Sequence, residues 1–267
     1  MAKTQDICFS VVTGASSGIG FELARVAAQR GSDLLVAADG EDIESAAREL
    51  RKLGVTVEAV RADLATKHGV DVLYDRAQAL GRPVDALMAN AGRGQGKAFL
   101  DQDFAERVIN TNVSGTTYLL HRFVQDMRRQ GWGRVLITGS IAGLMPGTYQ
   151  AVYNATKAYV DSFAYALRHE VAADGVSVTV LMPGPTDTDF FETADMLDTK
   201  VGSGKKDDPA DVAREGYEAM LRGDGHEVTG FGNKVQAMMT RFLGDGRLAR
   251  QHEELARPGG GGRHGDH

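Results

Sequence analysis

The stretch Asp6–Gly20, DICFSVVTGASSGIG, joins an apolar run directly to a glycine-rich turn. The run over residues 6–13 predicts a buried strand, and the helical pattern after the turn ends near Gly31. Glycines let the backbone turn tightly and approach a pyrophosphate, whose charge the helix N-terminus stabilises. The stretch therefore predicts a strand, a phosphate-binding turn and a helix in immediate succession.

Short apolar strands continue to alternate with longer helical patterns along the chain. The later strands are predicted at 34–39, 55–60, 84–89, 134–139 and 176–182. This alternation is typical of a single doubly wound parallel sheet of the Rossmann type, with helices on both faces. Ligands of such sheets bind beyond the carboxyl ends of the strands. The residues at or just after those ends are Gly14, Asp39, Asp63, Asn90, Ser140 and Pro183.

One nucleotide-binding domain is predicted over residues 1–243, followed by a tail over 244–267. Within the domain, the segment 190–206, FFETADMLDTKVGSGKK, breaks the alternation of strands and helices. Its apolar residues would fold over a site as a lid with flexible points at Gly202 and Gly204, or the segment is a long connection. The tail is rich in glycine and charge, so we expect it to be partly disordered, above all in its ending PGGGGRHGDH.

Size and charge limit the possible partners. A chain of 267 residues with 42% apolar residues suffices for one core. The formal charge of -6 gives no electrostatic footprint for nucleic acid or an anionic membrane, and no segment approaches the ~20 apolar residues that span a bilayer. The N-terminus lacks the apolar core of a signal peptide. We therefore expect a cytoplasmic protein with a small-molecule partner.

The single cysteine, Cys8, lies in the first apolar run, where it is expected to be a small buried residue. It has no partner for an intrachain disulfide, which fits a reducing cytosol. The histidines are scattered singly, without an HExxH motif or a Cys/His cluster. No metal site is therefore predicted.

Asp39 ends the second predicted strand, about 20 residues beyond the glycine turn. An acid in this position accepts hydrogen bonds from the adenosine ribose hydroxyls in NAD sites. No Arg or Lys lies in 14–20 or 37–42, so a 2′-phosphate lacks a partner close by along the chain. NAD is therefore favoured, and NADP is possible. The alternative role for Asp39 is to cap the helix that begins near Glu41.

A second stretch, Tyr149–Ala158, YQAVYNATKA, places Tyr153 four residues before Lys157. On a helix these two side chains share a face. A neighbouring cation favours the phenolate and lowers the phenol pKa from about 10, so the pair is a candidate acid–base group. The alternative is an ordinary helix surface, with the ring on apolar surface and the amine in solvent.

Several motifs, taken in order, resemble those of the short-chain dehydrogenase/reductase family. They are TGASSGIG at 13–20, NAG at 90–92, Asn112, Ser140 and YNATK at 153–157, and the resemblance spans Asp6–Thr188. It implies an NAD(P)-dependent oxidoreductase that transfers hydride between nicotinamide and a carbonyl/secondary alcohol pair. Tyr153 would be the general acid or base, and Lys157 would lower its pKa and hold the nicotinamide ribose. Ser140 would bind the substrate oxygen, and Asn112 would support a water that links Lys157 to solvent.

The resemblance also implies a row of cofactor contacts along the carboxyl edge of the sheet. Asp63 would contact adenine, Asn90 would stabilise the central sheet and Thr188 would contact the nicotinamide amide. Turn and cap roles are the alternatives for these three. The full set implied is Gly14, Ser16, Ser17, Gly18, Ile19, Gly20, Asp39, Asp63, Leu64, Asn90, Ala91, Gly92, Tyr153, Lys157, Pro183, Gly184 and Thr188.

The substrate and the assembly are expected only in outline. Leu144, Met145, Phe190, Phe191 and Met196 predict an apolar substrate pocket. The resemblance implies a homodimer or homotetramer, packed through the helices that carry Asn112 and Lys157. None of the motifs identifies the substrate.

Three other functions fit part of the sequence. Gly14–Gly18, GASSG, matches the G-x-S-x-G turn of a serine hydrolase with Ser16 as nucleophile, but no acid or histidine has distinctive surroundings. A dinucleotide-binding regulator without turnover would keep the fold, although all four proposed catalytic residues are present. A nucleotide-sugar epimerase would also use Tyr and Lys, but the chain is short for its extra substrate domain.

Overall fold

The computed structural model describes residues 6–240 and 242–261, and within them seven strands form one parallel sheet. The strand order is β3-β2-β1-β4-β5-β6-β7, and every neighbouring pair is parallel. The predicted doubly wound sheet is confirmed. The strands are β1 (Phe9–Thr13), β2 (Asp33–Ala38), β3 (Val57–Arg61), β4 (Ala86–Ala89), β5 (Gly133–Thr138), β6 (Val176–Met182) and β7 (His226–Val228).

Helices connect the strands and cover both faces of the sheet. Short 3-10 turns lie at Phe99–Asp101, Ile141–Leu144 and Ala172–Asp174, and a π turn lies at Asn110–Gly115. The α-helices are α1 (Gly18–Gln29), α2 (Asp42–Arg51), α3 (Lys67–Ala79), α4 (Glu106–Ile109), α5 (Thr116–Gln130), α6 (Ala151–Val171), α7 (Phe190–Thr193), α8 (Lys200–Ser203), α9 (Pro209–Arg222), α10 (Phe231–Thr240) and α11 (Asp245–Ala256).

Two apolar cores form because successive strand residues point to opposite faces of the sheet. In β1, Val11 packs into the core beneath α3, α5 and α6, whereas Val12 packs into the core beneath α1, α2 and α9. In β5, Leu136 and Ile137 divide in the same way. Strands buried on both faces explain the continuous apolar runs in the sequence.

Phe123 on α5 is a large core residue whose loss should destabilise the protein. Its side chain is 1% exposed and meets the Tyr74 ring edge-on, with the ring centroids 5.3 Å apart. Phe123→Ala is expected to lower the free energy of unfolding by about 3–5 kcal/mol, measured by urea denaturation. Phe104→Ala is the matched control, because Phe104 is 71% exposed, and it should change this free energy by less than about 0.5 kcal/mol. Equal losses in the two variants would contradict the described packing.

The C-terminal part of the chain adds a helix that was not predicted from the sequence. In α11, Leu248, His252 and Ala256 recur every four residues and are buried on one face. This face packs towards α8 and the segment 190–206. The tail predicted over 244–267 thus includes an ordered helix, while residues 262–267 lie outside the described residues.

Cys8 departs from its expected burial. The side chain is exposed, whereas its neighbours Ile7 and Phe9 are buried. Cys8 lies just before β1, and because successive residues of an extended chain point to opposite sides, its side chain points away from the side on which Ile7 and Phe9 are buried. The expectation of a small buried cysteine is therefore wrong.

Candidate active site

The glycine turn lies between β1 and α1, at the point where the strand order reverses. Gly14 and Gly18 have φ of 64° and 55°, a left-handed conformation that favours glycine. At Gly20 a Cβ would overlap the Gly14 carbonyl oxygen. The N-cap Ser17 makes no side-chain capping bond, and the first turn of α1 holds no acid. The helix N-terminus therefore keeps its N–H groups and positive dipole for an anion such as a pyrophosphate.

A hydrogen-bond network joins this turn to the ends of β4 and β5. The Thr13 hydroxyl accepts from the backbone N–H groups of Asn90 and Ala91, each at 3.0 Å. The Asn90 amide donates to the Gly14 carbonyl at 3.4 Å and accepts from the Thr138 hydroxyl at 3.0 Å. Asn90 thus connects three neighbouring strands, which is the position expected of a central-sheet stabiliser.

Tyr153 and Lys157 lie one turn apart on α6, over the end of β5. They are 8% and 6% exposed, and the Lys157 Nζ lies 5.9 Å from the centroid of the Tyr153 ring. The Lys157 ammonium donates to the Thr138 carbonyl at 2.8 Å. The helical spacing predicted from the sequence is present, and the pair is buried, so the solvated-surface alternative does not describe these two residues.

Ser140 follows β5 and faces the same space. Its hydroxyl accepts from the Ala142 N–H at 3.1 Å and donates to the Pro183 carbonyl at 3.4 Å. It thereby caps the short turn at 141–144 and links β5 to the segment that follows β6. Two backbone contacts fix the hydroxyl beside the Tyr153 phenol.

Burial dominates the ionisation of the phenol. Desolvation raises the pKa of Tyr153 to about 12, and the Ser140 hydroxyl offsets only part of that rise. The sequence predicted that Lys157 would lower this pKa. Instead, burial is the largest cause and raises this pKa, and the ammonium donates to the Thr138 carbonyl. The phenol is therefore protonated at neutral pH.

Lys157 is itself perturbed, together with a carboxylate one helical turn further on. Desolvation lowers the pKa of Lys157 to about 8 and raises the pKa of Asp161 to about 7. The Asp161 side chain is buried against Gly139 and Gly143, and neither of its oxygens has a well-aligned hydrogen bond from the described residues. The opposite charges of the two side chains favour each other, whereas burial disfavours both.

Asn112 lies in the π turn and fixes the loop after the NAG motif. Its amide nitrogen donates to the Arg93 carbonyl at 2.9 Å and to the Thr156 hydroxyl at 3.0 Å. Its amide oxygen accepts from the Arg93 N–H at 2.8 Å. The side chain therefore joins this loop to α6 just before Lys157.

The candidate residues surround one cavity of about 680 Å³. Two residues of the predicted set, Gly20 and Asn112, lie behind its wall: Gly20 packs on Gly14, and Asn112 holds the Arg93 backbone. The predicted residues that line the cavity are Gly14, Ser16, Ser17, Gly18, Ile19, Asp39, Asp63, Leu64, Asn90, Ala91, Gly92, Ser140, Tyr153, Lys157, Pro183, Gly184 and Thr188.

The segment 190–206 covers part of this cavity. The Phe190 ring packs on Tyr153 with centroids 5.1 Å apart, and Phe191 meets Phe190 edge-on at 5.5 Å. At Gly94 a Cβ would overlap the Phe190 ring, so the glycine-rich loop after the NAG motif lets the segment approach. Of the predicted apolar pocket, Met145, Phe190 and Phe191 line the cavity, whereas Leu144 and Met196 pack elsewhere.

Several lining residues were not predicted from the sequence. Gln150 precedes α6, and His252 and Leu255 come from α11. His252 contacts the Thr148 carbonyl through Nδ1 at 2.8 Å, which ties α11 to the segment before α6. Its spacing from Leu248 is the sequence signal that could have placed it on a buried helix face. Arg93 also lines the cavity, and it directly follows the NAG motif.

Membrane-spanning and metal-binding features can be described for residues 6–240 and 242–261. In these ranges no helix has the length and apolar character to cross a bilayer. Over the same part of the chain, no three His, Cys, Asp or Glu side chains converge in a way that could hold a metal ion.

The chain belongs to the short-chain dehydrogenase family, whose sequence model, described as short chain dehydrogenase, matches residues 9–196. An uncharacterised oxidoreductase of Staphylococcus saprophyticus is 32% identical over 224 residues, which cover 82% of this chain and 93% of the relative. The membership implied by the motifs is thus confirmed, and the protein is an oxidoreductase of a family that uses NAD or NADP.

Two solved structures share the fold. A short-chain dehydrogenase from Sphingobium yanoikuyae in complex with NADPH has a TM-score of 0.78 and 27% identity, covering 88% of this chain and 93% of its own. A short-chain dehydrogenase/reductase from Burkholderia phymatum in complex with NAD has a TM-score of 0.78 and 26% identity, covering 87% and 92%. Because the two bind different dinucleotides, the similarity leaves the choice between NAD and NADP to the residues of this chain.

Proposed function

We propose that the protein transfers hydride between a nicotinamide dinucleotide and a carbonyl/secondary alcohol pair, with Tyr153 as general acid or base. The observation that carries this proposal is that Tyr153, Lys157 and Ser140 line the same cavity as the glycine turn. A phosphate-binding turn and an acid–base group in one cavity are what a dinucleotide-dependent reaction at a carbonyl requires.

The residues present fit the dinucleotide. The crowded Gly14 and Gly20 backbones and the uncapped start of α1 suit a pyrophosphate, and Asp39, which follows β2 and lines the same cavity, would hold a ribose diol. As the family resemblance implies, Asp63 would contact the adenine, Thr188 the nicotinamide amide and Lys157 the nicotinamide ribose, and all three line the cavity. When bound, the cofactor supplies the hydride donor or acceptor. We favour NAD over NADP because Asp39 is an acceptor for ribose hydroxyls.

The side chains of the site handle the proton and the substrate oxygen. In the direction of reduction, the protonated Tyr153 donates its proton to the carbonyl oxygen as hydride arrives at the carbon. Ser140 donates a hydrogen bond to the same oxygen, where negative charge develops. Asn112 holds the wall behind Lys157, and a water between them would connect the ammonium to solvent.

The substrate is proposed to be apolar in part. Met145, Phe190 and Phe191 line the cavity near Tyr153, so a cyclic or aromatic ketone fits this end better than a small, highly charged substrate.

We place the protein in the cytoplasm as a homodimer or homotetramer. The exposed Phe99 and Leu100, which precede α4, are apolar surface available for such packing. Light scattering tests the assembly.

The proposal is tested by titrating the purified protein with NADH and NADPH, followed by fluorescence. Ketone-dependent oxidation of the cofactor is then measured with cyclohexanone, acetophenone and 2-decalone. We expect binding and measurable reduction of at least one ketone. Binding without turnover of any ketone, or of the corresponding alcohols, would favour the regulator. Absence of binding would contradict the proposal itself.

The structure gives less support to the serine hydrolase alternative than the sequence does. Ser16 lies in the glycine turn, and among the described residues it makes no hydrogen bond to a histidine. A nucleophilic serine needs such a base within hydrogen-bond reach. If the protein hydrolysed p-nitrophenyl acetate and Ser16→Ala abolished that activity, the hydrolase would be favoured over the oxidoreductase.

A further inference from the structure

Two arginines that are remote along the chain meet at Asp39, directly after β2. Arg93 belongs to the loop after β4, and Arg107 lies on α4. Both donate through Nη2 to the same carboxylate oxygen, Oδ2 of Asp39, Arg107 from 3.1 Å. Arg107 also pairs with Asp63 at 3.2 Å. The neighbours of Asp39 in sequence include no cation, but the convergence of strand ends brings two beside it.

Arg93 is fixed at its backbone and movable at its guanidinium. The Asn112 side chain holds both the N–H and the carbonyl of Arg93, at 2.8 and 2.9 Å. The side chains of Arg93, Arg107 and Asp39 are each about half exposed. The guanidinium groups can therefore turn to another anion at this rim without crossing the core, while the Arg93 backbone stays in place.

The cluster balances its charge. Two acids, Asp39 and Asp63, face two arginines, so the formal charges sum to zero. Partial burial raises the pKa of Asp39, but Arg93 and Arg107 lower it by more, so the carboxylate is ionised at neutral pH. A guanidinium has five N–H donors, and the contacts of each arginine with these acids use Nη2 alone. The other nitrogens remain for an additional anion.

We propose that Arg93 and Arg107 form a phosphate-binding site beside Asp39, which takes the 2′-phosphate of NADP(H). The inference rests on the proposed function and deepens it. With NAD(H), Asp39 binds the ribose hydroxyls and keeps both arginines. With NADP(H), the arginines turn from Asp39 to the phosphate, which a planar guanidinium binds through two hydrogen bonds. The protein therefore binds both dinucleotides. Asp39 sets their relative affinities, because its carboxylate competes with the 2′-phosphate for the two arginines.

The test compares two probes that differ by one phosphate, adenosine 2′,5′-bisphosphate and adenosine 5′-monophosphate, by isothermal titration calorimetry. Asp39→Ala frees both arginines and should tighten binding of the bisphosphate about tenfold relative to the wild type. In the D39A background, Arg93→Ala and Arg107→Ala should each weaken binding of the bisphosphate about tenfold relative to D39A alone. None of these changes should strengthen binding of the monophosphate.

Arg129→Ala in the D39A background is the matched control, because it removes the same charge from an exposed side chain paired with Asp126 on α5. It should leave bisphosphate binding unchanged. If bisphosphate binds equally to D39A, D39A/R93A and D39A/R107A while NADH still binds, the inference is overturned and the proposed function stands. If neither NADH nor NADPH binds the folded wild-type protein, the proposed function fails together with the inference.

Discussion

Tyr153→Phe is expected to reduce ketone turnover about a thousandfold while leaving NADH affinity within about twofold of the wild type. The change removes one hydroxyl and keeps the ring, which packs on Phe190 with centroids 5.1 Å apart. The variant therefore keeps the cavity and loses the group that exchanges a proton with the substrate oxygen. Steady-state kinetics and fluorescence titration separate the two effects.

Tyr159→Phe on the same helix is the control for Tyr153→Phe. Its hydroxyl contacts Thr117 at 3.1 Å, and the side chain is 42% exposed. Its turnover should stay within about twofold of the wild type. Comparable activity of Tyr153→Phe and this control would remove Tyr153 from the proposed chemistry. A loss of NADH binding in Tyr153→Phe would indicate a structural role for the hydroxyl instead.

The fold was predictable because its units are local. Most strands are short, mainly apolar runs, and the helices other than α11 that follow them show their own spacing and termination, so the order of elements follows from short windows. The carboxyl-end rule then collects residues as distant as Gly14 and Pro183 into one site. The structure places both in the same cavity.

Contacts between side chains of remote segments were not predictable in this way. Neither the Asp39 pairing with Arg93 and Arg107 nor the Asn112 contacts with the Arg93 backbone has a signal at fixed spacing. The direction of the Tyr153 pKa was also missed. It depends on how deeply the phenol is buried, and the i,i+4 spacing to Lys157 carries no information about burial.

Lys157→Met is the second substitution with a large expected effect. It should reduce turnover strongly while changing thermal stability little. Turnover is expected to fall about a hundredfold or more, because the ammonium proposed to hold the nicotinamide ribose is lost. Thermal stability at neutral pH should not fall by more than a few degrees. The lost hydrogen bond to the Thr138 carbonyl costs about 1 kcal/mol, but the variant no longer buries the Lys157 charge, and Asp161, whose pKa is already raised to about 7, can take up a proton.

The effect of Lys157 on stability should also depend on pH, in a direction that follows from its pKa. The pKa of Lys157 is lowered from 10.5 to about 8 in the folded protein, whereas in the unfolded chain it keeps its ordinary value. Below about pH 8 both states carry the proton, and the folded state bears the whole cost of the buried charge. Between about 8 and 10.5 the unfolded chain binds more protons, so the contribution of Lys157 to stability rises with pH. Asp161 acts in a lower pH range. Its pKa is raised from 3.8 to about 7, so its contribution to stability falls as the pH rises through that range.

Melting temperatures of wild type and Lys157→Met across this alkaline window are the measurement. The wild type should gain stability relative to the variant as the pH rises from about 8, because the methionine side chain has no proton to release. Lys97→Met is the control, because the exposed Lys97 is paired with Asp195, which raises its pKa above the window. Parallel curves for wild type and Lys157→Met would mean that Lys157 is charged and solvated in the folded protein. Its proposed role would then have to rest on contacts with the dinucleotide alone.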